Sequence, residues 1–327
     1  MLTTIRTSTG GAVEGSVARA LRGARVDVRG WAFEAVLVAC LLVSLLILGV
    51  LVGSVLNDGL PVYGERGFEF LDDGLSASAA RAGISQGILG SFWIAVSVVV
   101  LAVPLGVGAA IYLEEYAPRN RLTAFIELNI RNLAGVPSVV YGLLGLAIFV
   151  EAIGGFVDGA GVDRRTLAAA GVTLAVLVMP IVVITTAEAL RAVPLSLREA
   201  AYGVGATRWE VVRSHVLPYA APGIMTGALL SVARAVGEAA PLIVVGAVTG
   251  FFTRGAGLSP GNVADPGHLG ERFVALPTVV TTWAKQPEPG FKVSNSAAAI
   301  IAMLVFILLI NSIAIVLRNR FERKRAS

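Results

Sequence analysis

Six apolar runs alternate with polar segments along the chain, at residues 31–56, 88–113, 133–150, 167–190, 222–248 and 296–317. A hydrocarbon core of about 30 Å takes roughly 20 consecutive apolar residues of helix. Each run reaches or approaches that length, and the third is the shortest. Backbone N–H and C=O groups cannot stay unpaired in lipid, so every run is expected to be helical, and all are too long for barrel strands. The expected fold class is an all-α membrane protein with six transmembrane helices.

Composition strengthens this picture. The chain is 56% hydrophobic and 15% charged, with a mean hydropathy of +0.79, against roughly 25% charged residues in ordinary soluble domains. The net charge of +4 does not point to nucleic acid, because the basic residues sit in the connections between apolar runs. Residues 1–30, 114–132, 191–218 and 318–327 hold 17 Lys and Arg, whereas 57–87, 151–166 and 249–295 hold 8. The excess assigns both termini and the even connections to the cytoplasm of a plasma (inner) membrane protein. Arg19, Arg22, Arg25 and Arg29 precede the first run as they would a secretory signal. That run is about twice the length of a signal's apolar region and lacks a convincing cleavage site, so it is expected to be retained. Residues 1–30 read as a Gly-rich cytoplasmic arm and 318–327 as a basic cytoplasmic tail.

Cys40 is the single cysteine and His215 and His268 the only histidines. An intramolecular disulfide is thereby excluded, and neither a thiolate cluster nor a metal site is expected. No G-x-x-x-x-G-K-[ST] occurs, and Lys285, Lys292 and Lys324 are the only lysines. The chain thus has no phosphate-binding loop, is not expected to be an enzyme or to bind a cofactor, and must take energy from elsewhere.

Arg234 and Glu238 fall near the middle of the fifth run. A charge there costs several kcal/mol unless it faces protein or water, and the i,i+4 spacing puts both on one face of a continuous helix. One reading is a self-neutralising pair that fixes helix packing. The other is a translocation pathway, in which the planar five-donor guanidinium of Arg234 contacts an oxyanion and Glu238 competes for it when the site empties. Gly49 and Gly53, Gly223 and Gly227, and Gly246 and Gly250 show the G-x-x-x-G spacing that lets helices approach closely. Pro104, Pro137, Pro180 and Pro241 predict kinks.

Residues 191–221, RAVPLSLREAAYGVGATRWEVVRSHVLPYAA, read as helix, turn, helix. Glu199, Ala200 and Ala201 open a helix that Gly205 can break, and 206–216 resume helical spacing with Trp209, Val212 and Val216 on one side. The spacing from E-A-A to Gly205 and on to Leu217-Pro218 matches the E-A-A-x3-G-x9-I-x-L-P signature with which permease subunits of bacterial ABC importers dock their ATPase. His215 stands where an apolar residue is usual.

The resemblance extends further. VPLGVGAAIYLEEYAPRNR, NLAGVPSVVYGLLGLAIFV, ARAVGEAAPLIVVG and LPTVVTTWAKQPEPGF, with NSIAIVLRNRFERK, lie within residues 85–325 and resemble the PstA family of phosphate-importer permeases. That resemblance implies a type I (MetI-like) core formed by spans two to six, with the first span added. It also implies a PstC-type permease partner, a PstB-type ATPase dimer carrying ATP and Mg, and a PstS-type phosphate-binding protein outside. Glu199, Ala200, Ala201, Gly205, Leu217 and Pro218 become the ATPase-coupling loop, and Arg234 and Glu238 the translocation residues. The expected mechanism is alternating access, with the loop tilting spans four and five. From the residues alone, another oxyanion such as sulfate, a gradient-driven secondary transporter and a non-transporting anchor for an ATPase all stay open. The turn-rich stretch RGAGLSPGNVADPGHLGERF is expected to be irregular, and LPTVVTTWAK to form a helix at the exterior membrane interface.

Overall fold

A computed structural model of the chain describes residues 28–153, 165–247 and 257–326. The first helix, α1, runs through Val28–Arg66. Its portion up to Ser54 belongs to a unit of its own, in which every described side chain is exposed and nearly all are apolar, the surface suited to lipid.

The second unit, Val55–Ser327, carries the remaining elements. They are α2 (Glu69–Asp72), α3 (Ser85–Ile111) with a wide π-helical turn at Tyr112–Tyr116, α4 (Arg121–Ala134), α5 (Ser138–Gly145) with a π-helical extension Leu146–Ile153, and α6 (Leu167–Arg191). Then follow α7 (Leu195–Gly203), α8 (Arg208–Val211) with a π-helical turn at Val212–Val216, α9 (Leu217–Gly237) and α10 (Ala240–Val245). The chain closes with α11 (Pro260–Val263), a 3₁₀ turn at Pro266–Gly270, α12 (Leu276–Trp283), a π-helical turn at Gly290–Asn295 and α13 (Ser296–Ala326). Among the described residues the β pairing is confined to one isolated bridge, Thr166 to Arg272.

Among the described residues, five helices are long and apolar enough to cross a membrane, and α4 with α5 makes a sixth if the bent pair counts as one span. Two expected spans differ from their sequence reading. The run 133–150 is not one helix: α4 and α5 meet at 101°, and the apolar crossing starts at Ser138. Pro137 lacks a backbone donor and disfavours helical backbone in the residue before it. The Tyr141 hydroxyl closes the bend by donating to the Leu133 carbonyl at 2.9 Å.

The run 222–248 is likewise broken. α9 ends at Gly237, Glu238 is extended at ψ 112°, and α10 ends at Gly246 with φ +113°. Pro241 cannot donate to the Gly237 carbonyl four residues back, and its ring collides with it. Pro104 and Pro180, by contrast, lie inside continuous helices.

The core sits between α3, α6, α9 and α10, where Val98, Ala102, Leu174, Val178, Ala235 and Val236 are buried. One of the three expected G-x-x-x-G spacings makes a close helix contact. A β-carbon on Gly223 would lie 2.8 Å from that of Ala189, and one on Gly227 would meet the Thr185 side chain. Gly49 and Gly53 face open space, Gly246 ends α10, and Gly250 lies outside the described residues.

The connections segregate to two ends. At one end residues 66–84 pack with 257–295 around Phe70, Leu276, Val279, Trp283 and Phe291, all buried. Hydrogen bonds pin this end, from Arg66 to the Ala82 carbonyl (2.7 Å), from the Leu258 N–H to Asp72 (2.6 Å) and from Asn295 to the Ala79 carbonyl (2.8 Å). The stretch expected to lie at the membrane interface does form α12, but Trp283 is only 4% exposed. Its ring packs 6.3 Å from Phe70 and 5.5 Å from Phe291. The stretch expected to be irregular contains α11 and the 3₁₀ turn.

Candidate functional site

The other end holds residues 191–218. α6 stops at Arg191, and Pro194 leads into α7. The chain reverses at Gly205, whose φ of +85° lies in the left-handed region that side-chain-bearing residues avoid. Thr207 then caps α8 in a reciprocal box. Its side chain accepts from the Glu210 N–H at 3.4 Å, and the Glu210 carboxylate accepts from the Thr207 N–H at 2.8 Å. Pro218 follows the π-helical turn inside a helix that runs continuously from Arg208 to Gly237, so the wider turn lies where its missing N–H interrupts the α-helical ladder. The expected helix, turn, helix is therefore present, with Gly205 at the turn.

The register of its second half differs from the reading. Val212 and Val216 are buried as expected, but Trp209 is 56% exposed and Val211 takes the inward place. The π-helical turn after Val211 carries more residues per turn than an α-helix and shifts the inward face. The inward side joins Val211, Val216 and Ala201 to Ala110, Val183 and Leu190. Full burial of each larger side chain contributes roughly 1.5–3 kcal/mol.

Of the six residues expected to form the coupling loop, Glu199, Ala200, Gly205 and Pro218 are exposed, Ala201 is buried and Leu217 is half-buried. Around them stand Leu195, Tyr202, Val204 and Trp209, all exposed, with Val204 at 86%. Sequence reasoning singled out none of Leu195, Tyr202 and Val204. Their signal is present as large apolar residues in an otherwise polar connection, but only the fold shows that they stay exposed along this helix, turn, helix crest. His215 is also exposed, so a polar side chain is tolerated there.

Arg234 and Glu238 are brought together, with Nε 3.4 Å from Oε1. They do not share one continuous helix, because Glu238 occupies the break after α9. Arg234, in the last turn of α9, sits at the end of the helix where cations are favoured. Its side chain is 50% exposed and that of Glu238 21%, so the guanidinium keeps donors open to a ligand on the surface of this chain. Discontinuous helices within the bilayer are a recurring setting for transported ions. Among the described residues no cluster of His, Cys, Asp and Glu is suited to a metal ion.

The sequence profile of the family "Binding-protein-dependent transport system inner membrane component" matches residues 102–327. The "Probable ABC transporter permease protein YqgI" of Bacillus subtilis is 37% identical over 186 residues, covering 57% of this chain and 60% of that protein. The "Phosphate transport system permease protein PstA 1" of Mycobacterium tuberculosis (strain CDC 1551 / Oshkosh) is 33% identical over 244 residues, covering 74% and 73%. The alignments thus span about three-fifths to three-quarters of these relatives' length. In fold, the chain is similar to a bacterial alginate ABC transporter solved with a periplasmic protein (TM-score 0.60, 15% identity, covering 88% of this chain and 93% of that one). It is also similar to the inward-facing MetNI methionine ABC transporter (TM-score 0.55, 17% identity, covering 73% and 95%).

Proposed function

The chain belongs to the family of binding-protein-dependent transport system inner membrane components, and from that premise we propose that it is the permease subunit of an ATP-driven importer for inorganic phosphate. The observation that carries the reading is the exposed crest at Gly205, where Glu199 and Ala200 stand beside Tyr202, Val204 and Trp209. An apolar patch of this kind, framed by E-A-A, Gly and Leu-Pro, suits docking of a separate ATPase. ATP and Mg belong on that partner. The phosphate-transport names of relatives such as PstA 1 support the choice of substrate, and an arginine with open donors suits an oxyanion.

Arg234 is half exposed on this chain, so a second permease subunit of the PstC type would supply the facing wall. A PstS-type binding protein would deliver phosphate at the end built around Phe70 and Trp283. The basic bias of the connections orients residues 1–30, the coupling loop and 318–327 toward the cytoplasm. Transport follows alternating access. Nucleotide-driven closure of the ATPases pushes the crest, the spans reorient, and Arg234 exchanges Glu238 for phosphate on one side and phosphate for Glu238 on the other. The states must differ in their affinity for phosphate, because equal binding shifts neither.

The test is reconstitution of the co-expressed complex in vesicles with labelled phosphate, then labelled sulfate, on the binding-protein side. ATP-dependent phosphate uptake that Arg234→Ala reduces at least about tenfold is expected. Uptake without the ATPase, or a preference for sulfate, would overturn the reading.

A further inference from the structure

Beyond the end of α3, three consecutive residues of the turn Tyr112–Tyr116 each take one arginine from the coupling region. The Glu114 carboxylate accepts from Arg191 at 2.5 Å, and the Glu115 carboxylate from Arg198 at 2.5 Å. The Arg208 guanidinium lies over the Tyr116 ring, 5.1 Å from its centroid. Arg191 is the last residue of α6, Arg198 lies within α7, and Arg208 opens α8. The turn therefore holds the docking loop at its entry, in its first helix and after its reversal.

The middle contact is the most enclosed. The Glu115 side chain is 7% exposed and that of Arg198 18%, and a second Arg198 nitrogen donates to the Leu190 carbonyl at 2.8 Å. Arg191 by contrast is 46% exposed and shared with Glu127 of α4 at 3.4 Å. Two kinds of attachment thus hold the loop. The apolar one, through Val211 and Val216, is non-directional and resists sliding weakly. The charge-assisted hydrogen bonds to Glu115 are directional and fix both distance and angle. A π-helical turn is a frequent feature of functional sites, and here it adds a residue where the acids must face outward from α3.

We infer that Glu115 and Arg198 are positioning residues that make α3 move with the docking loop, so that force applied at the crest reaches the second span as well as the fourth and fifth. This rests on the importer reading given above. The loop is covalently continuous only with α6 and α9. Without the Glu115 contact, a push at Gly205 would rock α7 against α3 and be lost as local rearrangement.

The experiment uses the complete complex in vesicles and reports phosphate taken up per ATP hydrolysed. Glu115→Ala is expected to assemble with its partners and hydrolyse ATP while uptake per ATP falls at least about tenfold. Arg198→Lys, which keeps the charge but cannot serve Glu115 and Leu190 with one planar fork, is expected to recover part of that ratio relative to Arg198→Ala. An unchanged ratio in Glu115→Ala, or a parallel loss of uptake and hydrolysis, would overturn the inference.

A second measurement leaves the pair intact. Spin labels at Tyr202 and Tyr112 are expected to hold their separation when ATP is added. A change beyond about 5 Å, one helical turn, would mean that the loop moves without α3. If the wild-type complex takes up no phosphate at all, the importer reading fails. A working complex in which Glu115 is dispensable sinks only this inference.

Discussion

Two arginine–acid pairs of this protein have nearly opposite properties. Glu115 and Arg198 are 83 residues apart, lie on different elements and are mostly buried. Arg234 and Glu238 are four residues apart, straddle a helix end and stay open at the arginine. The buried pair has little to offer a ligand, since its donors are engaged and its surroundings closed. The open pair has little to hold in place, since its partners are already linked through a short stretch of backbone. Burial and sequence distance thus separate a contact that maintains shape from one that can exchange partners.

The largest effect that would break this comparison is on stability. Removing one partner of a buried pair leaves the other uncompensated, so Glu115→Ala is expected to destabilise the purified complex by about 3 kcal/mol, read as thermal unfolding in detergent. An Arg234→Ala variant that unfolded at the same lowered temperature would erase the distinction. The opposite end supplies an apolar yardstick. Leu276→Ala, at a fully buried position in α12, should cost roughly 2–5 kcal/mol in the same unfolding measurement.

Smaller effects sharpen it. Gly205→Ala places a β-carbon on a residue at φ +85° and should cost about 1–2 kcal/mol, with weaker co-purification of the ATPase if the crest changes shape. Arg234→Ala is expected to change stability by under about 1 kcal/mol, as exposed pairs do, although it abolishes most uptake. Transport retained at the wild-type rate would make the pair a packing device.

Much of this was legible in the chain. The helical, membrane-spanning character of the apolar runs follows from their length, because lipid leaves the backbone no alternative to helix. Gly205 marks the turn through backbone chemistry that acts over a few residues. Pro137 and Pro241 announced disturbance, but a proline alone does not say whether a helix bends or breaks. That depends on which neighbours take up the freed carbonyls, as Tyr141 does at Leu133. Trp209 was misplaced because the inward face was projected with an α-helical period across a turn that is π-helical. The apolar run that ends at Trp283 does not tell that its ring packs on Phe70 and Phe291, because those partners come from distant segments.

The sequence by itself determined the membrane-spanning class, the bias of charge between the two sets of connections, the E-A-A, Gly, Leu-Pro frame of residues 199–218 and the charged pair Arg234 and Glu238 inside an apolar run. These are properties of composition and short-range spacing, and they survive without knowledge of what touches what. Only the tertiary structure decided that α9 ends before Glu238, that Tyr202, Val204 and Trp209 share an outer crest, and that Glu114, Glu115 and Tyr116 meet Arg191, Arg198 and Arg208. Those outcomes depend on packing between segments tens of residues apart, and no local periodicity encodes which buried acid a distant arginine will reach.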